Sequence, residues 1–375
     1  MQITATLKPS LLSLAVYLAL VQSTSATATI GITEAALALN GLMTTYDPLT
    51  GLWGYGEPDA PWWQSAVALQ AVLDFMITTG TRDYVPVVTN TIDIQRRPNP
   101  NGPQGSGDFR ASSTDDTAWW ALALISLHAI TGEQWLLDVA MADEAYISQW
   151  WTTECGGGLI WQIRALSYKA SISNELYIEL TATLHNLIPG DKTYLAKSLL
   201  AWEWMKQSGL MNNASLINDG LTETCGNNTP TWTYNQGVIL GGMIQLYTAT
   251  GDEKFLYTAR SIADAVLASS KLAPQGVLTE PCVGECNTDQ HSFKGIFVRY
   301  LAKLNAKLPD RPYSTFITSN AASMFANDQS TSEGRPNDDY YGLRWQGPFD
   351  KNSLGSQESA LMLLTAAFSL DRAMG

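Results

Sequence analysis

Three stretches of this chain repeat one pattern, and that repeat restricts the fold more than any other feature. The first runs through residues 122–130, the turn Thr131-Gly132-Glu133, and residues 135–147. The second runs through 176–188, Pro189-Gly190-Asp191 and 194–205, and the third through 238–250, Gly251-Asp252 and 255–267. Each unit is an apolar segment of helical period, a Gly-Asp/Glu turn, and an amphipathic segment opened by an aromatic residue. Weaker copies turn at Gly80-Thr-Arg-Asp83 and Pro309-Asp310, so the turns recur roughly every 50–60 residues. A glycine closing the first segment can take the left-handed conformation that ends a helix, and the acid after it suits the start of the next. Each unit therefore reads as a helical hairpin.

The first segments are apolar nearly all round, as in 118–130, and should be inner; the second carry a polar face, as in 253–268, and should be outer. Five hairpins are visible. Residues 356–370 supply a sixth inner helix, and residues 33–44 form an unpaired helix that can close the ring. The predicted fold is all-α, an (α/α)6 toroid of six helical hairpins. An open solenoid would want polar capping repeats, whereas the final helix is apolar. No linker interrupts the pattern, so residues 29–375 read as a single domain. All inner helices then run the same way, and the long polar segments ahead of them gather at one face, where a cleft belongs. These segments include Pro61-Trp62-Trp63, Thr114-Asp115-Asp116, Ser173-Asn174-Glu175, Tyr234-Asn235-Gln236, His291–Lys294 and Ser356-Gln357-Glu358.

Asp115 and Asp116 carry the chemistry. One acid would suffice to cap the helix that follows. Two adjacent acids, flanked by Trp119 and Trp120, point to glycoside cleavage, which needs one ionised carboxylate and one protonated carboxyl. Neighbouring Cα atoms lie about 3.8 Å apart, so like charge drives the two pKa values apart. Trp62, Trp63, Trp119, Trp120, Gln236 and Asp289 join them as candidate substrate-binding residues, and Glu175 enters the same face. Thirteen Trp and fifteen Tyr supply flat rings for either a core or a sugar cleft. The pair Asp338-Asp339 lies in a Gly/Pro/Asn-rich stretch and reads as solvated loop. His128 and His185 fall late in inner helices, away from the cleft. Neither a GxSxG nucleophile motif nor a phosphate loop occurs.

The setting is extracellular. Residues 1–28 read as a signal peptide: Lys8, an apolar run at 11–21, and a small-residue site at Ala26-Thr-Ala28. Cys155, Cys225, Cys282 and Cys286 fit disulfides better than a metal site, with no CxxC or His cluster. Of three possible pairings, the three-residue gap favours Cys282–Cys286, leaving Cys155–Cys225 as the long bridge. Asn213 and Asn227 head glycosylation sequons. A net charge of −13 argues against nucleic acid as a partner.

The ordered set Asp115-Asp116 with Trp119-Trp120, Cys155-Gly-Gly-Gly-Leu-Ile-Trp161, Tyr168-Lys169-Ala-Ser-Ile-Ser-Asn174, Thr233-Tyr-Asn-Gln-Gly237 and Phe293-Lys-Gly295 resembles glycoside hydrolase family 76, the α-1,6-mannanases. The likeness spans the mature chain. It implies the (α/α)6 fold and retaining, endo-acting hydrolysis of α-1,6-mannan. It also implies Asp115 as nucleophile, Asp116 as general acid/base, and Lys169, Asn174, Tyr234, Asn235 and Lys294 as cleft residues. No metal or organic cofactor is implied. The fungal branch fits best, in the secreted or cell-wall compartment. That branch includes transglycosidases acting on the glycan of GPI-anchored proteins, a second expectation for the activity and partner. The chain ends without a polar spacer and hydrophobic tail, so membrane attachment would need a GPI signal missing from this sequence. Two rival classes are a non-catalytic glycan-binding protein, which would not need the acids, and a class II terpene cyclase, whose acid motif Asp115-Asp-Thr-Ala118 matches only in its tail.

Overall fold

The computed structural model describes residues 30–372 except 165–167, 229, 283 and 333–334. The expected signal peptide lies outside the described residues. Twelve helices follow in order: α1 (Ile32–Met43), α2 (Trp62–Thr79), α3 (Val85–Gln95), α4 (Thr114–Thr131), α5 (Gln134–Ser148), α6 (Ser171–Leu187), α7 (Thr193–Gln207), α8 (Thr233–Thr250), α9 (Lys254–Ala268), α10 (Phe293–Lys307), α11 (Ser314–Asn327) and α12 (Leu354–Arg372).

Glycine ends the hairpins as its backbone freedom requires. Gly80, Gly132 and Gly251 stand at φ 80°, 74° and 70° and close α2, α4 and α8. The third hairpin differs: α6 stops at Leu187, and Asp191 caps α7 by accepting the Tyr194 N–H at 3.0 Å. Asp252 likewise accepts the Lys254 N–H at 3.0 Å. Glu133 makes no such side-chain cap.

The even-numbered helices are the inner ones. Inner helix α4 has 11 buried residues of 18 and outer helix α9 has 6 of 15, which separates the two classes. Packing runs α2–α4–α6–α8–α10–α12 and returns from α12 to α2, so the ring is closed. Helix α1 lies against α12 and supplies the sixth outer member. Cys155 is bonded to Cys225 and Cys282 to Cys286, the pairing the spacing favoured.

Residues 338–339 correct the sequence reading. They belong to the strand Arg335–Tyr341, paired antiparallel with Gln329–Ser332 and packed on α1. Asp339 is buried, with the Tyr341 hydroxyl at 3.4 Å from its carboxylate. The Gly/Pro/Asn content suggested a solvated loop, but the strand is pinned from below, where the Gln357 amide donates to the Asp339 carbonyl at 2.8 Å.

Helices α8 and α10 approach through Gly237. A Cβ there would stand 2.6 Å from the Cα of Phe297. Gly237→Ala is expected to destabilise the protein by about 1–3 kcal/mol despite alanine's better helix propensity, because backbone must move. A melting temperature several degrees lower checks this; an unchanged one contradicts the close packing.

Candidate active site

The first turns of α2, α4, α8 and α10 surround a cleft of about 410 Å³ at one mouth of the ring. Asp115 and Asp116 lie in its wall, both half-buried, on the first turn of α4. The indole N–H of Trp161 donates to Asp115 Oδ2 at 3.0 Å. Asp115 Oδ1 is enclosed without a hydrogen-bond partner.

Burial raises both carboxyls. Asp115 is pushed up to about 6, with the Trp161 N–H and the backbone N–H groups of the helix start opposing burial. Asp116 stands well above the carboxylate range, through burial and then the charge of Asp115. Asp289 adds negative charge beside both. The two carboxyls therefore sit in unequal surroundings: the Trp161 N–H favours the charged form of Asp115, whereas the charge of Asp115 favours the neutral form of Asp116.

Two more acids face the cleft. Asp289 accepts the Trp63 indole N–H at 2.9 Å. Asp219 accepts the Tyr168 hydroxyl in a short bond and the Asn228 amide at 3.3 Å, and burial raises its carboxyl. Trp63 stacks on Trp119 with centroids 5.8 Å apart, and Tyr234 lies flat on Phe293 at 3.7 Å. Trp161 and Trp232 complete the aromatic lining. Among the described residues lining the cleft there is no Lys, Arg or His. Nor do the described residues contain a group of three or more His, Cys, Asp or Glu side chains placed to hold a metal ion.

Of the sequence candidates, Trp63, Trp119, Tyr234 and Asp289 line the cleft with the acid pair. The other seven do not; for the six on helices the period explains it, since 100° per residue turns alternate members of each first turn into the packing, while Lys169 lies on a short strand ahead of α6. Trp62 lies behind the wall, its indole N–H on Gln95 Oε1 at 2.8 Å, and Trp120 is buried under Phe109. Asn235 is buried and donates to the equally buried Glu175 at 3.4 Å, and neither lines the cleft. Gln236 is buried and bonds both backbone groups of Ile217, at 2.8 and 2.7 Å. Lys294 donates to the Leu343 carbonyl and sits 4.4 Å from the centre of the Trp345 ring. Lys169 and Asn174 are buried against the loop that carries Trp161: Lys169 Nζ donates to the Gly158 carbonyl at 2.8 Å, and Asn174 Oδ1 accepts the Leu159 N–H at 2.8 Å. Asp219 and Trp232 were missed altogether, and Trp161, Tyr168 and Phe293 stood in the motifs without a role. For Asp219 the sequence offers no local signal, since no aromatic residue stands between Trp204 and Trp232. His128 and His185 sit at the far helix ends, His128 against the Glu133 carbonyl and His185 against Asp191, both at 3.0 Å.

A ring of six helical hairpins whose mouth is an aromatic, acid-lined cleft around two adjacent carboxyls defines a glycoside hydrolase of the (α/α)6 class. Comparison with known proteins agrees. The chain belongs to glycosyl hydrolase family 76, whose family model matches residues 32–374. Mannan endo-1,6-alpha-mannosidase DCW1 of Candida albicans is 28% identical over 329 residues, 81% of this chain and 72% of that protein. The GH76A alpha-1,6-mannanase from a Salegentibacter species has the same fold, with a TM-score of 0.79 at 25% identity, covering 90% of this chain and 98% of its own. An inactive variant of that mannanase, with two consecutive aspartates changed to asparagine, is known in complex with alpha-1,6-mannotriose (TM-score 0.79, 24% identity, 90% and 99% covered).

Proposed function

We propose that this protein is an endo-acting, retaining α-1,6-mannanase that works outside the cell, with Asp115 as nucleophile and Asp116 as general acid/base. One observation carries the reading: two neighbouring acids share an aromatic cleft in unequal surroundings, Asp115 accepting the Trp161 N–H and Asp116 raised by burial and the charge of Asp115. Asp116 gives its proton to the bridging oxygen as the bond to C1 breaks, while Asp115 closes on C1 and forms a mannosyl ester. Water then enters and gives its proton to Asp116, now a carboxylate. The ester opens, and two inversions restore the anomeric configuration. The paired rings Trp63–Trp119 and Tyr234–Phe293 offer apolar surfaces to sugar faces, and Asp219 and Asp289 offer acceptors to hydroxyls.

The substrate follows the names of the relatives, which are mannan endo-1,6-alpha-mannosidases and alpha-1,6-mannanases. Two disulfides support an oxidising compartment. Asn213 is exposed and suits a glycan. The Asn227 amide already donates to the Gly209 carbonyl at 2.6 Å, which makes it the poorer acceptor.

Linear α-1,6-mannan tests the reading, with early products followed by proton NMR. Mixed oligosaccharides released first as the α-anomer are expected. Release of the β-anomer first would mean inversion, and mannose alone would mean exo attack. Longer products on adding a mannoside acceptor would make the protein a transglycosidase, the activity through which a GPI glycan would be its substrate. No new reducing ends and no transfer would leave a glycan-binding protein.

A further inference from the structure

The loop of residues 157–161 is fastened at nearly every residue. Gly157 and Gly158 pass so close to Trp204 that a Cβ on Gly157 would stand 2.8 Å from that ring. Lys169 Nζ, buried, donates to the Gly158 carbonyl at 2.8 Å and to Thr152 Oγ1 at 2.6 Å. Asn174, also buried, grips Leu159 from both sides, accepting its N–H at 2.8 Å and donating to its carbonyl at 3.2 Å. The Thr114 hydroxyl donates to the Ile160 carbonyl at 2.7 Å, and the Thr114 N–H to the Trp161 carbonyl at 2.9 Å. The Trp161 N–H donates to the Tyr168 carbonyl at 2.9 Å. The Cys155–Cys225 bond ties the loop's entrance to the strand region that carries Asp219.

These bonds end at one point. Trp161 keeps 37% of its surface exposed although the backbone of its loop is held throughout, and its ring N–H reaches Asp115 Oδ2 at 3.0 Å. Among the described residues no other side chain donates a hydrogen bond to the Asp115 carboxylate. We propose that Trp161 is a positioning residue for the nucleophile: its indole N–H fixes the direction of the Asp115 carboxylate toward the anomeric carbon, and Lys169 and Asn174 serve the reaction by holding Trp161 in place. The inference rests on the reading of Asp115 as nucleophile.

The physical reason is that a carboxylate on a short side chain rotates freely unless a donor selects one orientation, and attack needs a narrow range of approach. The same N–H favours the charged form of Asp115 and works against burial. The other groups facing Asp115 are Asp116 on its own helix, Asp289 ahead of α10, Asp219 and Tyr168 from the loops, and Tyr234 on α8. Replacing Trp161 by Phe removes none of these charges and keeps an aromatic ring in the loop, so the interaction it takes from Asp115 is the N–H.

Trp161→Phe keeps an aromatic face for a sugar and removes the N–H. With linear α-1,6-mannan as the probe, the acid limb of kcat/KM is expected to move up by about one pH unit. We expect kcat to fall about tenfold with KM within about threefold. An unmoved acid limb with KM alone raised would make Trp161 a sugar platform and overturn the proposal. If Trp161→Phe fails to fold, Lys169→Met loosens the same loop from behind the cleft. Its acid limb is expected to move in the same direction by a smaller amount, and an unmoved limb overturns the proposal equally. Asp115→Asn is run alongside. If it keeps full turnover, the nucleophile reading itself fails; if it is dead while both loop variants keep the wild-type profile, only this inference fails.

Discussion

Asp115→Asn and Asp116→Asn are each expected to leave a folded protein that has lost nearly all turnover of mannan. Asparagine keeps the shape of the side chain but supplies neither a nucleophilic charge nor an acid proton. Loss of the acid costs about 10²–10⁴-fold, and loss of the nucleophile about 10⁴-fold or more, equivalent to about 5.5 kcal/mol of barrier. The two variants separate on a donor whose leaving group needs no proton, such as a mannosyl fluoride. Asp116→Asn should still form the glycosyl ester from that donor, whereas Asp115→Asn should not. Stability should move the other way. An acid whose folded pKa is raised holds its proton more tightly when folded, so ionisation opposes folding from the unfolded value upward and fully once pH passes the folded one. For Asp115 the cost grows as pH rises from its ordinary 3.8 through about 6. At pH 7 and above, both asparagine variants should therefore melt no lower than the wild type, and a marked fall would mean the acids serve the fold.

The largest loss of stability is expected at the opposite mouth of the ring. There the middle and C-terminal parts of the inner helices enclose a cavity of about 400 Å³ containing a charge network. Arg299 on α10 grips Asp74 on α2, Gln70 donates to Asp74 at 3.0 Å, and Ser126 on α4 donates to Gln70 at 2.9 Å. Tyr300 donates to Glu179 on α6 at 2.6 Å. The Asp74 side chain is only 20% exposed, so Arg299→Met takes its main charge partner away where water reaches it poorly and leaves Gln70 and Lys303. Breaking a buried pair from one side costs about 3–5 kcal/mol. Adding Asp74→Asn to Arg299→Met should recover part of that loss, and denaturant unfolding of the two singles and the double measures the coupling. Burial pushes the Asp74 carboxyl up, but the charges of Arg299 and Lys303 and the hydrogen bonds hold it below its ordinary 3.8. A carboxyl lowered by folding stabilises above that value and loses its contribution as pH falls through the folded one. Wild type should thus weaken below about pH 4 more steeply than Asp74→Asn.

The ring was legible because its signal repeats. One Gly-Asp turn is weak, but recurrence at Gly132, Gly190 and Gly251 fixed the hairpins, and the apolar character of 118–130 against the polar face of 253–268 sorted inner from outer. Asp115-Asp116 was legible because two charged groups at the start of an apolar helix exceed what capping needs. The lining was harder. Trp62-Trp63 and Trp119-Trp120 look equivalent in sequence, yet Trp63 and Trp119 meet across the cleft while Trp62 and Trp120 pack behind it. Which member faces inward depends on where the helix begins, and a shift of one residue reverses the answer. Lys169, Asn174, Asn235, Gln236 and Lys294 sit at the right helix entrances but hold loop backbone or neighbouring polar side chains instead of facing the cleft. A buried amide or ammonium satisfied by main-chain carbonyls has the same composition as a sugar ligand. Asp219 arrives through pairing between distant loop segments, a non-local contact that no local pattern encodes.

The central claim is that Asp115 becomes covalently bonded to the sugar while Asp116 handles the proton. An activated 2-deoxy-2-fluoro-mannosyl donor slows release of the ester enough to catch it, and peptide mass spectrometry then locates the label. The expected result is one added fluoromannosyl group on the peptide containing Asp115, absent in Asp115→Asn. Label on another residue, or unimpaired mannan turnover by a protein with both Asp115 and Asp116 changed to alanine, would contradict it.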